Sequence, residues 1–151
     1  MSSVTVKFKR NHNNAIIPTK STKGAACYDV VIPEDNKPLT PGEIRIINLG
    51  FSVEVPDGYE LQVRCRSGLA TKGCFVVNGV GCIDSDYRGD VGVILGNMSQ
   101  GIIPLSRGTR IAQLKLSAAP DIDWEIIDEI SETERGSVGF GGKRCCELSH
   151  L

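Results

Sequence analysis

Residues 51–65 read Phe51-Ser52-Val53-Glu54-Val55-Pro56-Asp57-Gly58-Tyr59-Glu60-Leu61-Gln62-Val63-Arg64-Cys65. Phe51, Val53 and Val55 alternate with Ser52 and Glu54. Past Pro56-Asp57-Gly58, Leu61, Val63 and Cys65 alternate with polar residues. Successive side chains of a strand point to opposite faces, so this period of two predicts half-buried strands. Proline and glycine between them predict a tight turn, and the stretch reads as a hairpin turning at Pro-Asp-Gly. Val4, Val6 and Phe8 repeat the alternation, and residues 43–49, 75–77, 91–95, 111–116 and 122–127 read as further strands. Helical spacing is nearly absent. One short helix is predicted over residues 67–72, where a serine precedes Gly-Leu-Ala. Short strands at regular intervals with Gly and Pro turns define an all-β class, a sandwich or a barrel.

Composition agrees. The chain has 151 residues, the size of one domain, with 17 glycines and few aromatics. Its net charge of −1 lacks the basic excess of a duplex-binding surface, so no nucleic-acid partner is expected. The six cysteines contain no CxxC pair, and both histidines, His12 and His150, lie near a terminus, so neither a zinc site nor a Ser-His or Cys-His pair is expected. No segment has the length of a membrane span, and residues 1–7 contain no apolar leader. Six cysteines without an export signal imply a reducing compartment, so an intracellular, cytoplasmic or nuclear protein is expected, not a secreted one. The sequon Asn97-Met98-Ser99 is then a chance match.

With histidine set aside, general-base work falls to a carboxylate, and Asp84-Ser85-Asp86 is the conspicuous acidic pair. An EF-hand counted from Asp84 fails, because its fifth and twelfth positions are Arg88 and Leu95. A solvated turn and a catalytic carboxylate at a rigid strand edge both remain open on the residues alone. Gly142-Lys143 does not complete a P-loop: Ser137 stands at the glycine position and Arg144 at the Ser/Thr position. Arg66-Ser67-Gly68, at the end of a strand, offers a guanidinium fork, a hydroxyl and backbone amides to phosphate oxygens. Beyond residue 130 the chain turns polar and glycine-rich around Arg135 and Phe140. It reads either as a frayed tail or as an arm that closes over a site.

Five segments, in order, resemble the motifs of the homotrimeric all-β dUTPases. Gly24-Ala25-Ala26-Cys27-Tyr28-Asp29-Val30 is similar to an Ala-Gly-Tyr-Asp-Leu element, with Cys27 where glycine is usual. Arg66-Ser67-Gly68-Leu69-Ala70 matches almost completely. The segment from Asn78 through Gly81-Cys82-Ile83-Asp84-Ser85-Asp86-Tyr87-Arg88-Gly89 resembles the uracil hairpin and catalytic motif. Gly108-Thr109-Arg110-Ile111-Ala112-Gln113-Leu114 is the fourth. Arg135-Gly136-Ser137-Val138-Gly139-Phe140-Gly141-Gly142-Lys143 is the fifth, with Val138 for a glycine and Gly142-Lys143 for a Ser-Thr pair.

The resemblance implies a jelly-roll-like β-barrel, residues 1–130, assembled as a homotrimer, with residues 131–151 as a mobile C-terminal arm. It implies hydrolysis of dUTP to dUMP and pyrophosphate, which limits uracil in DNA and supplies dUMP for thymidylate synthesis. Asp84 would be the general base. Arg66, Ser67, Gly68 and Gln113 would face the triphosphate, and Arg135 the γ-phosphate. Asn78, Gly81, Cys82 and Ile83 would read uracil through the main chain. Tyr87 would lie against the deoxyribose, and Phe140 and Gly141 would cover the base. Asp29 would hold, through water, a Mg2+ ion bound to the substrate. Arg110 would be a structural ion-pair partner, of Asp86. Two rivals stay open. The dCTP deaminases share the fold but carry Asp-Pro-Gly-Phe where this chain has Asp84-Ser85-Asp86-Tyr87. A non-catalytic trimer acting on a regulatory protein partner is the other, and no such partner is readable from the residues.

Overall fold

The computed structural model describes residues 3–140. The chain divides into two compact units, Met1–Asp121 and Ile122–Leu151. All regular structure among the described residues lies in the first. Its strands are β1 (Lys7–Arg10), β2 (Tyr28–Val31), β3 (Asn36–Leu39), β4 (Ile44–Asn48), β5 (Phe51–Glu54) and β6 (Tyr59–Arg64). The four-residue helix α1 (Ser67–Ala70) follows, then β7 (Cys74–Val76), β8 (Gly81–Ile83), β9 (Gly92–Asn97), β10 (Ile103–Leu105) and β11 (Arg110–Ala118). Every pairing is antiparallel. The largest sheet has the order β2-β11-β6-β8, a second has the order β4-β9-β7, and two ribbons join β1 to β5 and β3 to β10.

The alternation at 51–65 builds the core as expected: Phe51, Val53, Val55, Leu61 and Val63 are all buried. They pack with Ile32, Leu39, Ile47, Leu49, Leu95 and Ile111 into one apolar cluster. Apolar burial of this kind is the main favourable contribution to folding. The hairpin reading of the same stretch is corrected. The turn forms, with Gly58 at φ +79° and the Tyr59 N–H donating to the Pro56 carbonyl at 3.2 Å. However, β5 pairs with β1, whereas β6 pairs with β11 and β8. A turn with only its second central residue at positive φ does not match the twist of paired strands, as the primed turns do. It hands the chain from one sheet to another.

Asn97 is buried, and its amide donates to the Leu39 carbonyl at 2.9 Å and the Gly101 carbonyl at 2.7 Å. It is a structural tie, which closes the sequon reading. Residues 122–127, expected as a strand, form none. Ile122, Trp124 and Ile126 are exposed, because the described chain gives this segment no neighbouring strand to complete its backbone bonds. No helix of the described residues is long and apolar enough to cross a membrane.

Candidate active site

The four-stranded sheet carries most of the candidate residues. Asp29 on β2 lies opposite Gln113 on β11, which lies opposite Arg64 on β6. Just past β6 the chain reaches Arg66 and turns into α1. The Arg66 Nε donates to Asp29 Oδ1 at 2.9 Å, and a guanidinium nitrogen of Arg66 reaches the Arg110 carbonyl at 3.5 Å. The Ser21 hydroxyl donates to Asp29 Oδ2 at 2.8 Å, and Arg110 Nη1 stands 3.5 Å from the same oxygen. The expected Arg110–Asp86 pair, implied by the resemblance, is corrected: Arg110 pairs with Asp29. The register of β2 on β11 brings Arg110 opposite Val31, two residues from Asp29. Gln113 donates from Nε2 to the Cys65 carbonyl at 2.7 Å, which fixes the backbone entering Arg66-Ser67-Gly68.

Ser67 and Gly68 are exposed, and nothing lies near a side-chain position at Gly68. Arg66 caps α1 without a side-chain hydrogen bond, so the first N–H groups are left to solvent or to a ligand. Two cationic side chains, a free hydroxyl and open amides form a cradle for a polyanion. Asp29 is the part-buried carboxylate that orients it, with a side chain only 11% exposed.

The second candidate element flanks the same sheet. On β8, Gly81 pairs with Val63, Cys82 with Gln62, and Ile83 with Leu61. Gly79 adopts φ +73°, which allows the tight turn after exposed Asn78. A β-carbon at Gly81 would sit 3.0 Å from Asn78 Nδ2 and 3.2 Å from Val63 Cβ, so only glycine fits there without displacement. A hydrogen bond to Glu60, then partial burial, push the Cys82 thiol up from its ordinary range. Asp84 is exposed at the end of β8. The loop beyond it is closed by its own bonds, Tyr87 N–H to the Asp84 carbonyl at 3.2 Å and Arg88 Nη1 to the Ser85 carbonyl at 2.6 Å.

Register sets the distance between these elements. Asp84 follows the Ile83–Leu61 pair, level with Glu60, while Ser67 lies seven residues further along. From Glu60 to the end of β6 at Arg64 is roughly 13 Å at the rise of a strand, and Ser67 lies three residues past that end. One chain thus holds the cradle and the acidic hairpin at opposite ends of β6.

In the second unit, Arg135 donates from Nε to the Val138 carbonyl at 2.9 Å, Phe140 is fully exposed, and its φ is 49°. Gly141 lies outside the described residues, as do Gly142 and Lys143. Among the described residues no three His, Cys, Asp or Glu side chains form a metal cluster.

An antiparallel β architecture with an arginine-serine-glycine cradle and a glycine-bearing hairpin on one sheet defines a class of all-β proteins with a candidate anion site. The chain belongs to the dUTPase family, whose profile matches residues 13–143. It is 46% identical over 127 residues to a deoxyuridine 5'-triphosphate nucleotidohydrolase of Desulfotalea psychrophila, covering 83% of this chain and 85% of that protein. It is 44% identical over 146 residues to the Caulobacter vibrioides protein of the same name, covering 93% and 94%. Its fold is similar to that of the Staphylococcus bacteriophage 80alpha dUTPase with dUpNHpp. The TM-score is 0.81 at 26% identity, with 93% of this chain and 98% of that one covered.

Sequence reading missed the carboxylate of Asp90, which is bound from three other strands or strand ends. Nothing in the local pattern signals it, because its partners are distant in sequence.

Proposed function

We propose that the chain hydrolyses dUTP to dUMP and pyrophosphate, at sites shared between copies of a homotrimer. The carrying observation is that the acidic hairpin and the cradle stand at opposite ends of β6, roughly 13 Å apart along the strand alone, set against their chemistry. Base and phosphate ligands must converge on one phosphorus to be useful. Asp84 of one copy and Arg66-Ser67-Gly68 of another meet that requirement; the same residues of one copy do not.

A surface for the neighbouring copy supports the reading. Ile44 and Ile46 on β4 are 62% and 68% exposed. Across the sheet they face Gly96 and Ile94 on β9, and Gly96 faces Phe75 on β7. Gly92 and Gly96 leave room for Ile46, Val77 and Phe75 to close over the strands. The result is a contiguous apolar face, of a kind that marks an interface. It continues through Val77 directly into Asn78 and the hairpin.

The hairpin 78–83 accepts uracil through main-chain groups, in a slot too tight for a 5-methyl group. Asp84 takes a proton from a water, the water oxygen bonds to the α-phosphorus, and the bond to the bridging oxygen of pyrophosphate breaks. Arg66, Ser67, the α1 amides and Gln113 hold the phosphates as charge moves onto the leaving group. Mg2+ fits the residues present as an ion held by substrate oxygens and water. Arg66 donates to Asp29 Oδ1 and Ser21 to Oδ2, with Arg110 an ion-pair partner at 3.5 Å, so acceptor positions remain on the carboxylate that would hold water around such an ion. When bound, such an ion neutralises the developing pyrophosphate charge. Residues 131–151 form an arm that brings Arg135 to the γ-phosphate and Phe140 and Gly141 over the base, excluding water.

The test is a panel of deoxynucleoside triphosphates with Mg2+, scored separately for pyrophosphate and ammonia. Pyrophosphate from dUTP alone is expected. Ammonia from dCTP would establish a deaminase instead, and no product from any nucleotide would establish a binding module.

A further inference from the structure

The loop that follows Asp84 ends in a clamp the reaction scheme does not use. The Asp90 carboxylate accepts hydrogen bonds from the amide of Asn11, just past β1, and from Asn48 Nδ2, at the end of β4, at 2.9 Å. Ser52 Oγ on β5 lies 3.4 Å from the same carboxylate and takes a second bond from Asn11 at 2.6 Å. Three elements of the barrel therefore grip one side chain. Its backbone carbonyl in turn accepts the Tyr87 phenol at 3.0 Å. Beneath that phenol lies Gly89, where a β-carbon would stand 2.7 Å from Tyr87 Cζ. The Tyr87 ring is 45% exposed, with little packing of its own to hold it. Its position depends on the Asp90 carbonyl above and on the missing side chain of Gly89 below.

We propose that Gly89 and Asp90 are positioning residues for substrate selection, setting the Tyr87 ring where it excludes a ribose 2′-hydroxyl. The inference rests on the reading of Tyr87 as the deoxyribose neighbour. A ring held from two sides rejects an added hydroxyl by steric cost, whereas a ring free to swing admits it. An alanine at Gly89 displaces the exposed ring and leaves the fold alone, because the obstructing atoms are the far end of one side chain.

The experiment compares kcat/KM for dUTP and UTP in the full-length chain with Mg2+, with assembly size checked for every variant. Gly89→Ala and Asp90→Ala are each expected to lower the dUTP/UTP ratio by about tenfold, the scale of one displaced contact. Tyr87→Phe, which keeps the ring and loses the phenol donor, is expected to do the same. Adding Asp90→Ala to it is expected to cost nothing further, since both act through one bond. Should Asp90→Ala fail to fold, Asn48→Ala removes one donor of the clamp and is read in the same way. Variants that lose activity on both nucleotides while keeping the wild-type ratio overturn the clamp, which is then scaffolding only. Additive losses in Tyr87→Phe/Asp90→Ala overturn it as well. A wild type that releases no pyrophosphate from dUTP overturns the clamp together with the reading beneath it, and the nucleotide panel distinguishes that failure from the first two.

Discussion

The cradle on the four-stranded sheet and the tail at 131–140 both carry an arginine expected to meet phosphate, and they hold it differently. Arg66 is bound to Asp29, which is bound to Ser21, 8 residues away, and paired with Arg110 on another strand. Among the described residues Arg135 donates from its side chain to Val138, three residues away, and Phe140 is fully exposed. The first arginine has its orientation set by the folded sheet before any ligand arrives, which lowers the cost of binding. The second is held, among the described residues, by a local contact, and under the proposed function its position is set by substrate. The sheet supplies preorganisation, and closure by the tail is what the proposed function asks of it.

Asp84→Asn tests the sheet side most severely. It is expected to leave dUTP binding nearly intact and to lower kcat by at least ~10²-fold, the low end for a positioned base. Near-normal turnover would remove Asp84 from the chemistry and with it the reason for joining two copies. Truncation after Glu134 tests the other side. It is expected to reduce turnover by roughly 10²-fold through lost positioning, while light scattering gives the same number of copies per assembly as the full chain. Full activity in the truncated chain would make residues 135–151 a frayed tail, and the contrast with the cradle would lose its functional meaning.

How legible these regions were follows from how they are held. The alternation at 51–65 specified buried strands because a strand's faces are written in adjacent residues. Which strand pairs with which is not, and the supposed hairpin proved to be a handover between sheets. β3 and β10 each contain a proline, Pro38 and Pro104, which masked them, since proline is tolerated on edge strands. Residues 122–127 carried the same alternation and made no strand, because period two reports a preference and not a partner. The site repeated the pattern. Arg66-Ser67-Gly68 and Asp84 were visible as local strings. The Arg110–Asp29 pair and the Asp90 clamp were not, because each is made by register between distant segments.

Asp29→Asn sharpens the comparison by making the cradle more like the tail. The amide keeps one oxygen for Arg66 or Arg110 but not both, and it adds donors facing donors. Losing a charged hydrogen bond in this partly buried pair, about 1.5 kcal/mol, is expected to raise KM for dUTP by ~10-fold. The change in kcat should be small, because Asp29 acts on phosphate binding through Arg66. An unchanged KM would mean that the guanidinium is placed by the Arg110 carbonyl and the sheet alone.

The smallest effect expected is on stability. Asn48, then Asn11, hold the Asp90 carboxyl below the usual carboxylate range. A depressed folded pKa means that the unfolded chain binds more protons at acidic pH, so stability rises with pH in that window. The contribution is complete above the unfolded value of about 3.9 and is lost as pH falls through the lower folded value. The group is partly exposed and solvent screens it, so Asp90→Asn is expected to cost no more than ~1 kcal/mol near neutrality. Urea unfolding followed by circular dichroism, at one fixed chain concentration because assembly contributes to stability, should show this gap at about pH 7. It should narrow below about pH 4, as the wild-type carboxyl itself becomes protonated. A gap that stays constant into the acid range would mean that the charge is unimportant and that the clamp works by hydrogen-bond geometry alone. In that case the barrel would grip the Tyr87 loop equally well at every pH, and any acid loss of selectivity for dUTP over UTP would have to arise elsewhere.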